Sequence, residues 1–204
     1  MEHIEVVCSE TNQSLGIVLP RNEFVKTDHW CRTSNIFILN SKGDVLCHQR
    51  DLHKDRFPGV WATHVGGHLA HGESYEVSAQ KELEEEAGVS VAMEEIIPWR
   101  TTRVAISRLW VKEFVVLIDK DISEFTAQPG EVEKFEWKTI DEIIKDGREN
   151  PQNWIGQCPG THDFFVEYHC MRAVLTAMHE RGYVTSHKDL HVWGQFGTAL
   201  PLAI

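Results

Sequence analysis

The 23 residues from Gly67 to Val89 restrict this 204-residue chain more than any other stretch of it. They follow Gly66 and read Gly67-His68-Leu69-Ala70-His71-Gly72-Glu73, then run into Lys81-Glu82-Leu83-Glu84-Glu85-Glu86-Ala87-Gly88-Val89. From Tyr75 to Ala87 there is no Pro or Gly, and Glu, Ala, Gln and Leu abound; with Ser74 placed as a cap and Gly88 as a stop, the segment predicts a helix. On it Glu82, Glu85 and Glu86 share one face, and Ala79 and Leu83 lie on another that can anchor to a sheet. Carboxylates so crowded repel by about 0.2–0.5 kcal/mol per exposed pair unless a cation neutralises them. Oxygen-only ligation selects a hard divalent ion, Mg²⁺ first and Mn²⁺ next, and such ions favour phosphate oxygens as further ligands. The bland alternative is a solvated acidic helix face. Gly66 and Gly67, read as a loop, let backbone approach the metal or phosphate where a side chain would intrude.

The rest of the chain reads as one elaborated domain over residues 1–204, with a core over about 33–147. Ile4 to Cys8 and Leu15 to Leu19 predict an N-terminal hairpin, within residues 1–30, that leads into the main sheet. Asn35 to Leu39 and Val45 to Gln49 predict a second hairpin, turned at Gly43. Trp110 to Ile118 and Lys134 to Trp137 read as strands, and Thr139 with Glu142 forms a capping box for a short helix closed by Gly147. Apolar residues at helical spacing predict a last helix over His162 to Arg181, within the 150–204 segment; with the tail Ala199 to Ile204 it could cover the core or make a homodimer contact.

A charge sum of 20 basic against 31 acidic residues, net −11, excludes broad attraction to a nucleic acid polymer or an anionic membrane, so an anionic substrate needs a cation between. Five cysteines with no CxxC pair signal neither a disulfide framework nor a zinc site. With no basic, apolar leader at Met-Glu-His-Ile-Glu and no apolar run of bilayer length, the expectation is a soluble cytoplasmic protein.

The order of residues in the 67–89 stretch resembles the signature of the Nudix hydrolase family: Gly, five residues, Glu, seven residues, then Arg-Glu-aliphatic-x-Glu-Glu-x-Gly-aliphatic. Gly67, Glu73, Glu82, Leu83, Glu85, Glu86, Gly88 and Val89 match, and Lys81 stands where the family has Arg. The resemblance implies an α/β fold, the Nudix α/β/α sandwich with a mixed β-sheet, here carrying the N-terminal β-hairpin as an extension. It implies that Glu82, Glu85 and Glu86 hold the divalent cations with the Gly67 carbonyl, and that Glu73 pairs with the basic residue of the signature. It also implies hydrolysis of a diphosphate linked to another group, in a small-molecule substrate. Lys81 keeps the charge but not the two-pronged donor set, which loosens the orientation of Glu73 and Glu82. Candidates for the general base are Glu82 in the signature, which is favoured, and Glu131 and Glu133 in the later Pro129 to Glu133 loop.

Beyond the signature, Gln49-Arg50, His53-Lys54-Asp55 and Pro58-Gly59-Val60-Trp61 resemble the isopentenyl-diphosphate isomerase-like branch. The isomerases carry a catalytic Cys two residues before the His that matches His68, where this chain has Gly66, and where they have a metal-binding His ahead of the first core strand this chain has Cys31, with His29 close by. These departures select a hydrolase over an isomerase; a silent nucleotide-binding module is a third reading. Further candidates are His68 near the phosphates, Glu113 projecting from its strand, and Arg100, Arg103 or Arg108 meeting a phosphate. The spacing of His64, His68 and His71 is weak as a metal signal, and Trp61 and Trp110 are either stacking surfaces or core.

Overall fold

The computed structural model describes residues 2–155. The helix predicted over His162 to Arg181 and the tail to Ile204 lie outside the described residues. Strand β1 (His3–Val7) pairs antiparallel with β2 (Ser14–Pro20), and α1 (Arg21–Phe24) follows directly. The main sheet contains β3 (Cys31–Leu39), β4 (Val45–Arg50), β5 (Trp61–Ala62), β6 (Val65–His68), β7 (Ile97–Val104), β8 (Leu109–Leu117) and β9 (Val132–Lys138). Its order is β5-β4-β3-β8-β7, with β6 added to β3 and β9 to β4. Only β3 and β8 are parallel, matched in nine consecutive pairs from Cys31↔Leu109 to Leu39↔Leu117, so the sheet is mixed.

Alternation along β3 and β8 sends side chains to two cores. Ile36, Ile38, Phe114 and Val116 pack with Ala79, Leu83 and Ala87 of α2 (Tyr75–Ala87). Phe37, Leu39 and Val115 pack with Ile140 and Ile143 of α3 (Ile140–Glu149). Helices therefore cover both faces, as the sandwich expectation requires. The ends of α2 form as the sequence predicts: Ser74 Oγ accepts from Val77 N at 3.2 Å, and Gly88 closes the helix at φ +66°. The reciprocal box at Thr139 and Glu142 starts α3, and Gly43 turns the β3–β4 connection at φ +86°.

Two expectations are corrected and one is met: the N-terminal hairpin is present, as a separate two-stranded sheet whose Ile4 and Val6 pack with Phe24 and with Cys31 of β3. It is tied to the rest through single bridges, Val7↔Trp30 and Ile4↔Ala70, because α1 and the turn after it redirect the chain before β3 begins. Gly147 does not end α3: the glycine is buried within the helix, which runs on to Glu149 and closes at Asn150, whose N–H donates to the Asp146 carbonyl. Gly66 and Gly67 lie within β6 rather than in a loop. No helix among the described residues is long and apolar enough to cross a membrane.

Candidate functional site

The site is built where β6 passes under α2. The chain needs glycine there: a Cβ on Gly67 would fall 2.1 Å from Glu82 Oε1, and one on Gly66 would fall 2.1 Å from the backbone oxygen of Ser34. Freed of side chains, β6 approaches the helix closely enough for Gly66 N to donate to Glu86 Oε2 at 3.1 Å. Ala70 N donates to Glu73 Oε2 at 2.9 Å, which fixes the turn between β6 and α2.

Among the signature glutamates, Glu82 and Glu86 point inward against β6, while Glu85 keeps 46% of its side chain exposed and meets Lys81 Nζ at 4.0 Å. Lys81 also stands 3.9 Å from Glu73 Oε1, so its ammonium bridges Glu73 and Glu85 without direct hydrogen-bond contact to either. Burial, and next the Glu85 charge, push Glu82 up to about 7. Burial and then the Glu82 charge push Glu86 up to about 8, against the opposing pull of the Gly66 amide. Two half-buried carboxylates that resist ionising side by side form a site that gains most from a cation.

The donor set suits a hard divalent ion: carboxylate oxygens, with glycine backbone beside them. Among the described residues no three His, Cys, Asp or Glu side chains converge as a ready-made ligand group. An ion held here would rely on Glu82 and Glu86, with Glu85 within their electrostatic reach, and keep water among its ligands, as Mg²⁺ does.

Further charged residues ring these carboxylates: Glu131, a candidate base by sequence, and Arg50, Lys54, Arg21 and Glu2, to which the sequence assigns no site role. Arg50 and Glu131 both act on Glu86. Lys54 Nζ pairs with Glu131 Oε2 at 2.5 Å, and Asp51 N donates to the Glu131 carbonyl at 3.0 Å, holding the 51–60 connection against the start of β9. Arg50 in turn donates to the carbonyls of Phe57 and Arg56. From the other side Glu2 and Arg21, themselves paired at 2.5 Å, act on both Glu82 and His68. In the sequence, Arg50 and Lys54 fall within the stretch that resembles the isomerase-like branch, and nothing marks Glu2 or Arg21.

The remaining candidates separate. Glu133 is exposed on β9. Glu113 is 5% exposed, lies on the sheet face away from α2 and pairs with Arg100 of β7. Arg103 is bound to Ser9 and Glu10, and Arg108 to Asp28, so both tie the β7–β8 end to the N-terminal segment. Trp110 donates to the Cys8 carbonyl, while Trp61 lies against Lys134, Lys138 and Trp154. His71 faces Glu5 at 3.9 Å and His64 packs on Phe37, so the three histidines do not converge. Burial raises the Cys31 thiol to about 12, which makes it a poor metal ligand. A cleft of about 390 Å³ between β9 and α3, lined by residues such as Glu136, Lys138 and Asp146, includes nothing from β6 or α2.

A mixed sheet between helices, with a double-glycine strand under a glutamate-bearing helix, defines an α/β/α sandwich. The profile of the NUDIX domain matches residues 29–158, and the chain belongs to the Nudix family. Nudix hydrolase 3 of Arabidopsis thaliana is 32% identical over 91 residues, covering 44% of this chain and 12% of that protein. An uncharacterised Nudix hydrolase of Pseudomonas aeruginosa is 38% identical over 84 residues, 41% of this chain and 49% of the other. The chain thus spans half or less of these two relatives. An isopentenyl-diphosphate Delta-isomerase of Serratia proteamaculans is 28% identical over 127 residues, with coverage of 60% and 69%. Among solved structures, DR0079 from Deinococcus radiodurans superposes with a TM-score of 0.62 at 21% identity, covering 73% of this chain and 90% of that one, which supports the fold.

Proposed function

We propose that this chain is a Mg²⁺-dependent hydrolase, with Mn²⁺ as a substitute ion, that cleaves a diphosphate bond in a nucleoside or other organic diphosphate derivative in the cytoplasm. The observation that carries the reading is the half-buried pair Glu82 and Glu86, pressed against the glycine backbone of β6 with no direct ion pair to either among the described residues. Glu82 and Glu86, with Glu85 and the Gly67 carbonyl, are the residues that would hold the ion. When bound, it would supply charge neutralisation on the bridging phosphate oxygens and a water of lowered pKa.

The protein's own part is mostly placement, as phosphoryl transfer requires little covalent help. Glu73 fixes the turn that presents β6, and Lys81 sets the Glu85 carboxylate. Glu85, with an oxygen open to solvent, takes the proton of the attacking water. Arg50, Lys54 and Arg21 place positive charge around the product phosphates.

The isomerase relatives favour a second reading, but a thiol at position 66 would need space that the Ser34 carbonyl occupies. The test is a panel of diphosphate derivatives assayed for phosphate or diphosphate release with Mg²⁺ and with chelator. Metal-dependent turnover of at least one compound is expected. No turnover of any compound, together with no effect of Mg²⁺ on thermal stability, would overturn the reading.

A further inference from the structure

Strand β2 closes one side of the small N-terminal sheet: it pairs with β1, and among the described residues nothing pairs with its other edge. The backbone contacts fix which groups lie on that edge. Arg21 N donates to the Glu2 carbonyl at 2.9 Å, continuing the β1–β2 register, whereas the His3 carbonyl and the Val7 N–H of β1 turn away from β2, to His71 N and the Trp30 carbonyl. Antiparallel pairs alternate, so Ile4↔Leu19 and Val6↔Ile17 exchange hydrogen bonds and Glu5↔Val18 does not. Val18 therefore points both its N–H and its carbonyl outward. Its neighbours on that edge, Gly16 and Pro20, add no donor: Gly16 N donates to Ser14 Oγ at 3.1 Å, and Pro20 has no N–H.

This edge lacks the charges that keep strands of separate molecules apart. Ser14–Pro20 contains no charged residue, in a chain of net charge −11. The edge strands of the main sheet differ: β7 carries Pro98 and Arg103, and β9 carries Lys134, Glu136 and Lys138. Leu15 is 53% exposed and Ile17 42%, and a Cβ on Gly16 would meet nothing within 4 Å, so the approach to the edge is open. Ile17 lies on the same face as Leu19, Ile4 and Val6, which pack with Phe24. That apolar layer breaks off at Ile17, at the surface.

We propose that β2 is a dimer contact: it pairs antiparallel with β2 of a second copy of this chain about a two-fold axis at Val18, joining two hairpins into one four-stranded sheet. In that register the Val18 N–H donates to the carbonyl of the partner's Val18 and the Val18 carbonyl accepts in return, so both outward groups are matched in each copy. The missing donor of Pro20 ends the ladder one pair away on either side. Ile17 comes to lie opposite the partner's Leu19 on the same face, which carries the apolar layer across the axis. A second copy fits this edge on two counts. It brings an uncharged strand to an uncharged strand, away from the acidic surfaces of both molecules, and a two-fold contact needs only the one donor and one acceptor that Val18 offers. With two main-chain hydrogen bonds and one apolar layer, the contact is smaller than that of a permanent dimer, and association is weak and concentration-dependent.

The test is sedimentation equilibrium of the full chain across about 1–300 µM, where a monomer–dimer equilibrium with a Kd of about 10–100 µM is expected. Val18→Lys and Val18→Glu each set like charges against one another on the axis and should weaken association at least about 10-fold. Mixing the two variants should restore a heterodimer at least as tight as the parent dimer, because only a register with position 18 opposite itself brings lysine against glutamate. Circular dichroism shows whether both variants keep the fold. In the unaltered protein, amide exchange at Val18 should slow as concentration rises, and this reading decides alone if a variant unfolds. A chain that stays monomeric over the whole range overturns the proposal. So does a dimer that both folded variants retain at full strength, a mixture of the two that does not associate, or exchange at Val18 that is indifferent to concentration.

Discussion

Lys81 Nζ stands 3.9 Å from Glu73 Oε1, an ion pair just beyond hydrogen-bond reach. Arginine at this position would offer a planar fork able to engage Glu73 and Glu85 at once. Lys81→Arg should raise kcat on a cleaved diphosphate by about 3- to 10-fold, the scale of one added charge-assisted hydrogen bond at a partly exposed site. Lys81→Ala should lower it. Steady-state kinetics of both variants check the claim; an arginine variant no faster than the parent shows that the lysine already orients the site fully.

Glu86 shares a half-buried space with Glu82, whose charge opposes its ionisation. Glu86→Gln removes one of the two repelling charges and keeps an amide oxygen for the Gly66 N–H. In chelator the variant should melt at a higher temperature than the parent. In Mg²⁺ the parent should gain stability and the variant should not, with turnover reduced by roughly 100-fold or more. Thermal melts with and without the ion read this directly, independent of any substrate.

Position 66 admits no side chain in the present backbone, given the 2.1 Å approach of a Cβ to the Ser34 oxygen. Gly66→Ala should cost about 1–3 kcal/mol or more by forcing β6 from β3. Gly66→Cys should pay the same penalty and show no exchange of solvent protons into isopentenyl diphosphate. Urea unfolding of the alanine variant and a proton-exchange assay of the cysteine variant decide the two halves separately.

Burial lowers His48 to about 3 and His64 to about 4, each also disfavoured by the Arg50 charge. Both histidines are thus neutral in the folded chain at pH values where the unfolded chain would protonate them near 6.5. Their contribution is fully present above pH 6.5 and is lost as pH falls from there toward 3–4, because the unfolded state then binds more protons. Each should steepen the loss by up to about 1.4 kcal/mol per pH unit. His48→Gln should flatten the slope between pH 6 and 5 in denaturant titrations relative to the parent.

What the sequence makes legible is local. The caps of α2 and α3 and the turn at Gly43 depend on residues within a few positions of one another, and each forms as composition and spacing predict. The shared face of Glu82, Glu85 and Glu86 is equally local, but its use is not. Lys81 draws Glu85 along the helix by four residues, while β6 receives Glu82 and Glu86, and helix geometry alone cannot divide the three in this way. The double glycine reads as a loop until β3 is present to pair with it. The alignment of Gly66, Asn35, Glu113 and Arg100 across β6, β3, β8 and β7 needs the register of four strands, which no short window contains. Arg21 and Glu2 reach Glu82 only because the hairpin folds back on the turn after β6, where His71 N donates to the His3 carbonyl at 2.8 Å.

The parallel match of β3 with β8 joins residues 78 positions apart, as Cys31↔Leu109 shows. During synthesis the glutamates of α2 therefore emerge well before the second half of their platform exists. Until Leu117 leaves the ribosome, the nascent chain holds an acidic helix without a finished floor, and its affinity for magnesium should stay weak. On the proposed metal role of these glutamates, capture of the ion would mark completion of the sheet, and a peptide excised around the signature should bind the ion far less tightly than the folded protein.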